Sequence, residues 1–155
     1  MGDLIIRQAG LGDAEGIAEV LQEIAAAGKR SRPSDLSFAT ANYLTHPDQL
    51  RCAVAVRGGC VLGFQSIRIA VEGNPYGAPV GWGVIGTHIR PSAARQGVGR
   101  ALFRVTLEVA KARELAAIDA TISRNNAEGL AYYSAMGFVD YRSHHGAVCK
   151  SFTVD

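Results

Sequence analysis

The stretch that decides the fold is Ile85-Gly-Thr-His-Ile-Arg-Pro-Ser-Ala-Ala-Arg-Gln-Gly-Val-Gly-Arg-Ala-Leu102. Its first residues complete a strand expected from Val80 to Ile89 and closed by Pro91. Gly81, Gly83 and Gly86 interrupt that strand, which points to a bulge or to close approach by another group. A helix is expected from about Gly97 to Arg113. Val98, Ala101, Leu102, Val105 and Val109 form its apolar stripe, and Lys111 and Arg113 suit its negative end. A helix start presents amide N–H groups that have no partner, at the positive end of the macrodipole. Gly97 and Gly99 leave those amides open to a phosphate, and Arg95 and Arg100 flank them. A pyrophosphate is the ligand such a loop suits. The spacing is neither GxGxxG nor GxxxxGK[ST], so dinucleotide and P-loop readings lose support.

Upstream, Leu4-Ile5-Ile6 reads as a strand and Asp13 as the cap of a helix. Ile17, Val20, Leu21 and Ile24 make the buried stripe of that helix, and Gly28 ends it. Lys29 to Ser34 is a polar loop, and a second helix runs from Asp35 to about Leu44 with Phe38 and Tyr43 as its anchors. Cys52–Val56, the Gly58-Gly59 turn and Val61–Val71 form a hairpin, followed by a turn-rich loop over 73–79. Downstream, Ala116–Ser123 is a strand, and Asn125 with Glu128 reads as a capping box. Gly137 ends the helix so begun, and strands follow at Phe138–Tyr141 and Val148–Val154. The order β-α-α-β-β-β-α-β-α-β-β describes one mixed α/β domain over residues 1–155, without repeat or linker.

Composition narrows the function classes. The chain has 155 residues, 48% hydrophobic and 19% charged, with a formal charge of +2. That balance gives no reason to expect nucleic acid or an anionic membrane as partner. No apolar run approaches the ~20 residues a membrane-spanning helix needs, and the first residues lack the basic region of a secretory signal. Cys52, Cys60 and Cys149 are odd in number and lack CxxC spacing, so they read as reduced cytoplasmic thiols. His46, His144 and His145 show no ligand spacing, and no metal is expected.

Ile89 to Leu102 resembles motif A of the GNAT superfamily of N-acetyltransferases, usually written Q/R-x-x-G-x-G/A. Asn126-Ala-Glu-Gly-Leu-Ala-Tyr-Tyr-Ser-Ala-Met-Gly-Phe138 resembles its motif B, with Tyr133 and Gly137-Phe138 at the family spacing. Ile6-Arg-Gln-Ala9 followed by Asp13 resembles the usual opening. Two departures stand out. Ala94 occupies the leading Q/R of motif A, with Arg95 beside it. Thr121 sits where some protein N-terminal acetyltransferases of the family carry a glutamate base.

The resemblance implies an α/β fold with a single mixed, mostly antiparallel sheet, flanked by helices and splayed between the fourth and fifth strands. It implies acetyl-CoA as cosubstrate, no metal, and direct attack by an amine held beside the thioester. The expected coenzyme contacts are Thr87, His88 and Ile89 through their backbone to the pantetheine arm. Arg95, Gln96, Gly97, Val98, Gly99 and Arg100 would hold the diphosphate, with Asn126 and Tyr133 from motif B. Tyr133 is the expected general acid toward the thiolate, and the Ile89 N–H the oxyanion donor. Asn126 either reaches the coenzyme or caps its helix. His88 is either a base or a structural histidine, in which case water takes the amine proton. Trp82 reads as core, or with Phe38 and Tyr76 as a wall of the acceptor pocket; Tyr132 reads as packing.

The expected acceptor is a primary amine of a small molecule. Arg30, Arg32 and Arg68 either attract a carboxylate of an amino-acid-like acceptor or are simply solvated. The alternatives are a protein N-terminus or lysine as acceptor, another acyl group, or a non-catalytic CoA-binding module. A homodimer is the family's commonest arrangement.

Overall fold

The computed structural model describes residues 2–155. Strand β1 (Ile5–Gln8) leads through a 3₁₀ turn into helix α1 (Ala14–Ala26), followed by the short helix α2 (Leu36–Ala39) that continues as one π-helical turn, Thr40–Leu44. The hairpin β2 (Gln49–Arg57) and β3 (Cys60–Ile69) follows, then β4 (Gly83–Ile89), α3 (Val98–Ala112), β5 (Ala117–Ser123), α4 (Ala127–Met136), β6 (Val139–His144) and β7 (Ala147–Thr153). The expected element order is therefore observed. The strands form one seven-stranded sheet in the order β1-β2-β3-β4-β5-β7-β6. Every neighbouring pair is antiparallel except β4 and β5, which run parallel.

That parallel pair holds over Gly83↔Ile118 and Val84↔Asp119 alone. Beyond Val84 the two strands part, which leaves Ile85–Ile89 of β4 with β3 on one side and an open edge on the other. The sheet is splayed where the family resemblance implies.

Helices cover both faces. Ile17, Val20 and Leu21 of α1 are fully buried against Val54 and Phe64, with Ala39 and Tyr43 from the second helix. On the opposite face α3 packs through Val98 and Leu102 on Ala53 and Ala55. Phe103 and Ala110 meet Ile118, Ile122, Tyr133 and Phe138 in the largest cluster. The stripe of α3 is thus rotated from the expected one. Phe103 and Thr106 are buried, while Ala101, Val105 and Val109 stay partly open.

Some local expectations gave way to other partners or turns. Asp13 stands at the N-cap of α1 but does not cap it: its carboxylate takes both guanidinium nitrogens of Arg7 at 2.8 Å and the Gly10 amide at 2.8 Å. Helix α4 starts one residue late, with Asn126 rather than Asn125 as cap, and Glu128 leaves for Lys29 at 2.6 Å. β4 begins at Gly83 because Gly81 adopts φ +90° in a turn; Trp82 is only half-buried and lies on Tyr141. It belongs to neither of the sites the sequence suggested.

Candidate active site

The open edge of β4 and the start of α3 border one cavity of about 1070 Å³. Thr87, His88, Ile89, Arg95, Gly97, Val98, Gly99, Arg100, Asn126 and Tyr133 all line it. Gln96 does not: its side chain turns outward and accepts from Arg57 at 2.6 Å.

At one end lies the glycine loop. Ala93 and Ala94 donate their amides back to Arg90 and Pro91 in a 3₁₀ turn, and the first intrahelical bond of α3 runs from Ala101 to Gly97 at 3.1 Å. Between them, the amides of Gln96, Gly97, Val98, Gly99 and Arg100 find no acceptor among the described residues. The two glycines serve different ends. Gly97 has φ +78° and open space where a Cβ would stand, so its conformation requires glycine. Gly99 is needed for room: a Cβ there would lie 2.5 Å from the Tyr132 ring. Arg95, also at positive φ (62°), and Arg100 are exposed beside these amides.

The ladder of β3 and β4 decides which backbone groups reach the gap. Arg90 donates to Leu62 at 2.9 Å, and the register pairs His88 with Phe64 and Gly86 with Ser66. Antiparallel strands alternate hydrogen-bonded and open pairs, so His88 and Gly86 spend their amides on β3. Thr87 and Ile89, between them, direct N–H and C=O into the splay. The expectation that His88 offers its backbone to the cleft is therefore corrected.

Side chains alternate as well. Thr87 points to the α3/α4 face, where its hydroxyl lies 2.8 Å from the Tyr133 hydroxyl and accepts from Gln65 Nε2 at 2.9 Å. The same Gln65 nitrogen donates to the Tyr132 hydroxyl at 3.0 Å, and Tyr132 donates to the Gly99 carbonyl at 2.7 Å. A continuous hydrogen-bonded chain thus runs from Tyr133 to the first turn of α3. Burial raises the Tyr133 pKa well above the ordinary phenol value of 10, and pushes Tyr132 up to about 12. Tyr133 stays protonated and able to donate across the physiological range.

His88 points to the other face. Its ring stacks on Phe64 with centroids 4.8 Å apart and meets the Tyr43 ring edge at 5.4 Å. Burial, then the nearby Arg30 and Arg32, push its pKa down to about 3. A neutral imidazole of that basicity does not take a proton from an ammonium at neutral pH, so the base role expected as one alternative is also corrected. Asn126 caps α4, its Oδ1 accepting from the Gly129 amide at 2.9 Å, while still lining the cavity.

Gln65 and Tyr132 are the residues sequence reading missed. A fully buried glutamine in the run Val61-Leu-Gly-Phe-Gln-Ser-Ile67 was the available signal, because a buried amide demands partners. Thr121 also lines the cavity, but its hydroxyl donates to Asp119 at 2.7 Å. Among the described residues no cluster of His, Cys, Asp and Glu has the geometry of a metal site.

The comparisons with known proteins agree with this geometry. No curated protein sequence matches the chain. Among solved structures, a GCN5-related N-acetyltransferase from Kribbella flavida superposes with a TM-score of 0.78 at 21% identity, covering 97% of both chains. PaiA N-acetyltransferase from Thermoplasma acidophilum, solved with coenzyme A, gives 0.76 at 17%, covering 97% of this chain and 99% of its own. YncA of Salmonella typhimurium, solved with its cofactor acetyl-CoA, gives 0.71 at 18%, covering 98% and 94%. The model of the acetyltransferase (GNAT) family matches residues 17–138, from the first buried stripe to the end of motif B. By that match, the chain belongs to the GNAT family of acetyltransferases.

Proposed function

We propose that this protein, acting as one domain over residues 1–155, moves the acetyl group of acetyl-CoA to a primary amine of a small molecule by direct attack in a ternary complex. One observation carries the reading: the unpartnered amides of Gly97, Val98, Gly99 and Arg100 at a helix start open onto the same cavity as the free edge of β4 and Tyr133. Amides of Gln96 to Arg100 suit a diphosphate, and Arg95 and Arg100 add charge. Thr87 and Ile89 offer N–H and C=O to the amide-containing arm as an added strand would.

The transfer forms a C–N bond and breaks a C–S bond. It needs a donor for the oxyanion, a proton for the sulfur and a sink for the ammonium proton. The Ile89 N–H supplies the first, since it faces the splay. Tyr133 supplies the second: with Thr87 donating to the phenol oxygen, its own hydrogen is free to aim into the cavity. Among the described residues that line the cavity, Glu128 is the one carboxylate, and it is held by Lys29 at 2.6 Å. Water takes the ammonium proton. The homodimer of the family and a cytoplasmic setting belong to this reading; the three free thiols suit the second.

The test is a thiol-release screen of amino acids, polyamines, aminoglycosides and short peptides with acetyl-CoA, alongside the melting temperature with CoA alone. Release with small amines and a rise in melting temperature are expected. Stabilisation without release for any amine identifies a coenzyme-binding module. Preference for peptides by 100-fold or more moves the acceptor to proteins.

A further inference from the structure

The face of the sheet that carries His88 also gathers charge. Arg30, Arg32 and Arg68 line the cavity together with Asn42, Tyr43 and Tyr76. None has a carboxylate within ion-pair range among the described residues. The other basic residues of the lining are accounted for: Arg90 pairs with Glu19 and Glu23, Lys29 with Glu128, and Arg95 and Arg100 flank the free amides.

The guanidinium groups are held rather than waving in solvent. Arg30 donates Nε and Nη2 to the Pro33 carbonyl at 3.2 and 2.7 Å. Arg30 and Arg32 both lie over the Phe38 ring, 5.3 and 5.2 Å from its centroid. Arg68 donates Nη2 to the Asn42 carbonyl, while its Nε is buried without an acceptor. A buried donor so stranded needs a partner that the chain does not supply. The field converges on one spot: burial raises the Tyr43 phenol pKa, and these three arginines oppose that rise without cancelling it.

Position fixes the role. Arg68 stands opposite Val84, Ser66 opposite Gly86 and Phe64 opposite His88, so all share one face. Thr87, Tyr133 and the glycine loop occupy the other. Val84 lies three residues before Thr87, ~10 Å along the strand. Gly86 between them presents no side chain, and a Cβ there would lie 3.3 Å from the Ser66 hydroxyl. A molecule seated on Arg68 therefore reaches the splay over a clear floor, on the face opposite the coenzyme loop.

We infer that Arg68, with Arg30 and Arg32, forms an anion subsite for the acceptor, and that the substrate is a small primary amine carrying a carboxylate. This rests on the acetyl-transfer reading above and specifies its acceptor. The carboxylate neutralises the three guanidinium groups, while the amine end is delivered to the gap beside Thr87.

The experiment compares matched acceptors: the proteinogenic amino acids, their carboxamides and their decarboxylated amines, by thiol release with acetyl-CoA. The best amino acid should exceed its carboxamide by about 10- to 100-fold in kcat/KM, the worth of a charge-assisted bond. In Arg68→Gln and Arg32→Gln that ratio should collapse toward unity through a higher KM for the acid, with CoA affinity by calorimetry retained. Arg32 is exposed and makes no hydrogen bond, so its variant reads the subsite even where Arg68→Gln folds poorly. Equal rates for acids and carboxamides would overturn the subsite and leave acetyl transfer standing. Loss of CoA affinity matching the loss of acceptor affinity would also overturn it, by assigning the arginines to the coenzyme. No thiol release with any amine would remove both readings together.

Discussion

Tyr133 and His88 show how one residue of register divides the work of a strand's neighbours. Thr87 faces the tyrosines and His88 the arginines, because side chains alternate along β4. Tyr133→Phe deletes the hydroxyl proposed as proton donor and keeps the ring that packs on Phe138 at 5.2 Å. We expect kcat to fall about 10²- to 10⁴-fold, the usual range for a general acid, with CoA affinity by calorimetry unchanged. An unaltered kcat would remove Tyr133 from the chemistry. The raised phenol pKa adds that activity between pH 7 and 10 shows no falling limb due to this residue. His88 gives the opposite sign. Its folded pKa of about 3 lies below the ordinary imidazole value of 6.5, so the unfolded chain binds the extra proton between those values. Stability due to His88 is complete above pH 6.5 and is lost as pH falls toward 3, by at most about 1.4 kcal/mol per pH unit. Urea unfolding of wild type and His88→Phe at pH 7 and pH 5 tests this: the variant should lose less stability on acidification. The activity profile near neutrality should keep its shape in the variant, since the ring is not the base.

At the scale of elements, the start of α3 joins two requirements that look alike in sequence. Both Gly97 and Gly99 read as openings for a phosphate. The structure separates them: Gly97 answers to backbone conformation, Gly99 to the Tyr132 ring. Gly97→Ala should cost about 1–2 kcal/mol in urea unfolding, the strain of a left-handed residue with a Cβ. Gly99→Ala should displace Tyr132, break its bond to the Gly99 carbonyl and weaken CoA binding, and Tyr132→Ala in the same chain should recover part of it. Failure of that recovery would show that the clash is not the cause. Elements themselves were legible because hydrophobic period and glycine punctuation are local: the stripe Ile17, Val20, Leu21 is fully buried as its spacing implies. What sequence could not show was which polar group each cap residue would choose. Asp13 prefers Arg7, six residues back across the first turn, and Glu128 prefers Lys29, 99 residues away in sequence. Gln65 was hidden for the same reason, since its partners Thr87 and Tyr132 lie 22 and 67 residues away.

Across the whole molecule, the cavity depends on a polar knot at the far side of the splay. Asp119 of β5 is fully buried and receives Arg142 Nη2 at 2.8 Å, Thr121 at 2.7 Å and the Tyr141 hydroxyl. The same Arg142 nitrogen donates to the Tyr76 carbonyl at 2.9 Å, which ties the loop between β3 and β4 to the β6–β7 ribbon. Arg142→Ala leaves the buried carboxylate with two hydroxyl donors but no counter-charge, and should destabilise the protein by about 3–5 kcal/mol in urea. Amide exchange in the 71–80 loop should speed up with it, whereas protection of that loop as in wild type would show that Arg142 does not anchor it. Both ends of the splay thus rest on side chains from distant strands, with the glycine loop as the proposed grip on the coenzyme. The measurement that bears most directly on the account is an amide-resolved NMR titration with CoA. The resonances of Gln96, Gly97, Val98, Gly99 and Arg100 are expected to shift together and saturate with the coenzyme. Saturable shifts elsewhere with these five unmoved, or no saturable shift at all, would contradict it.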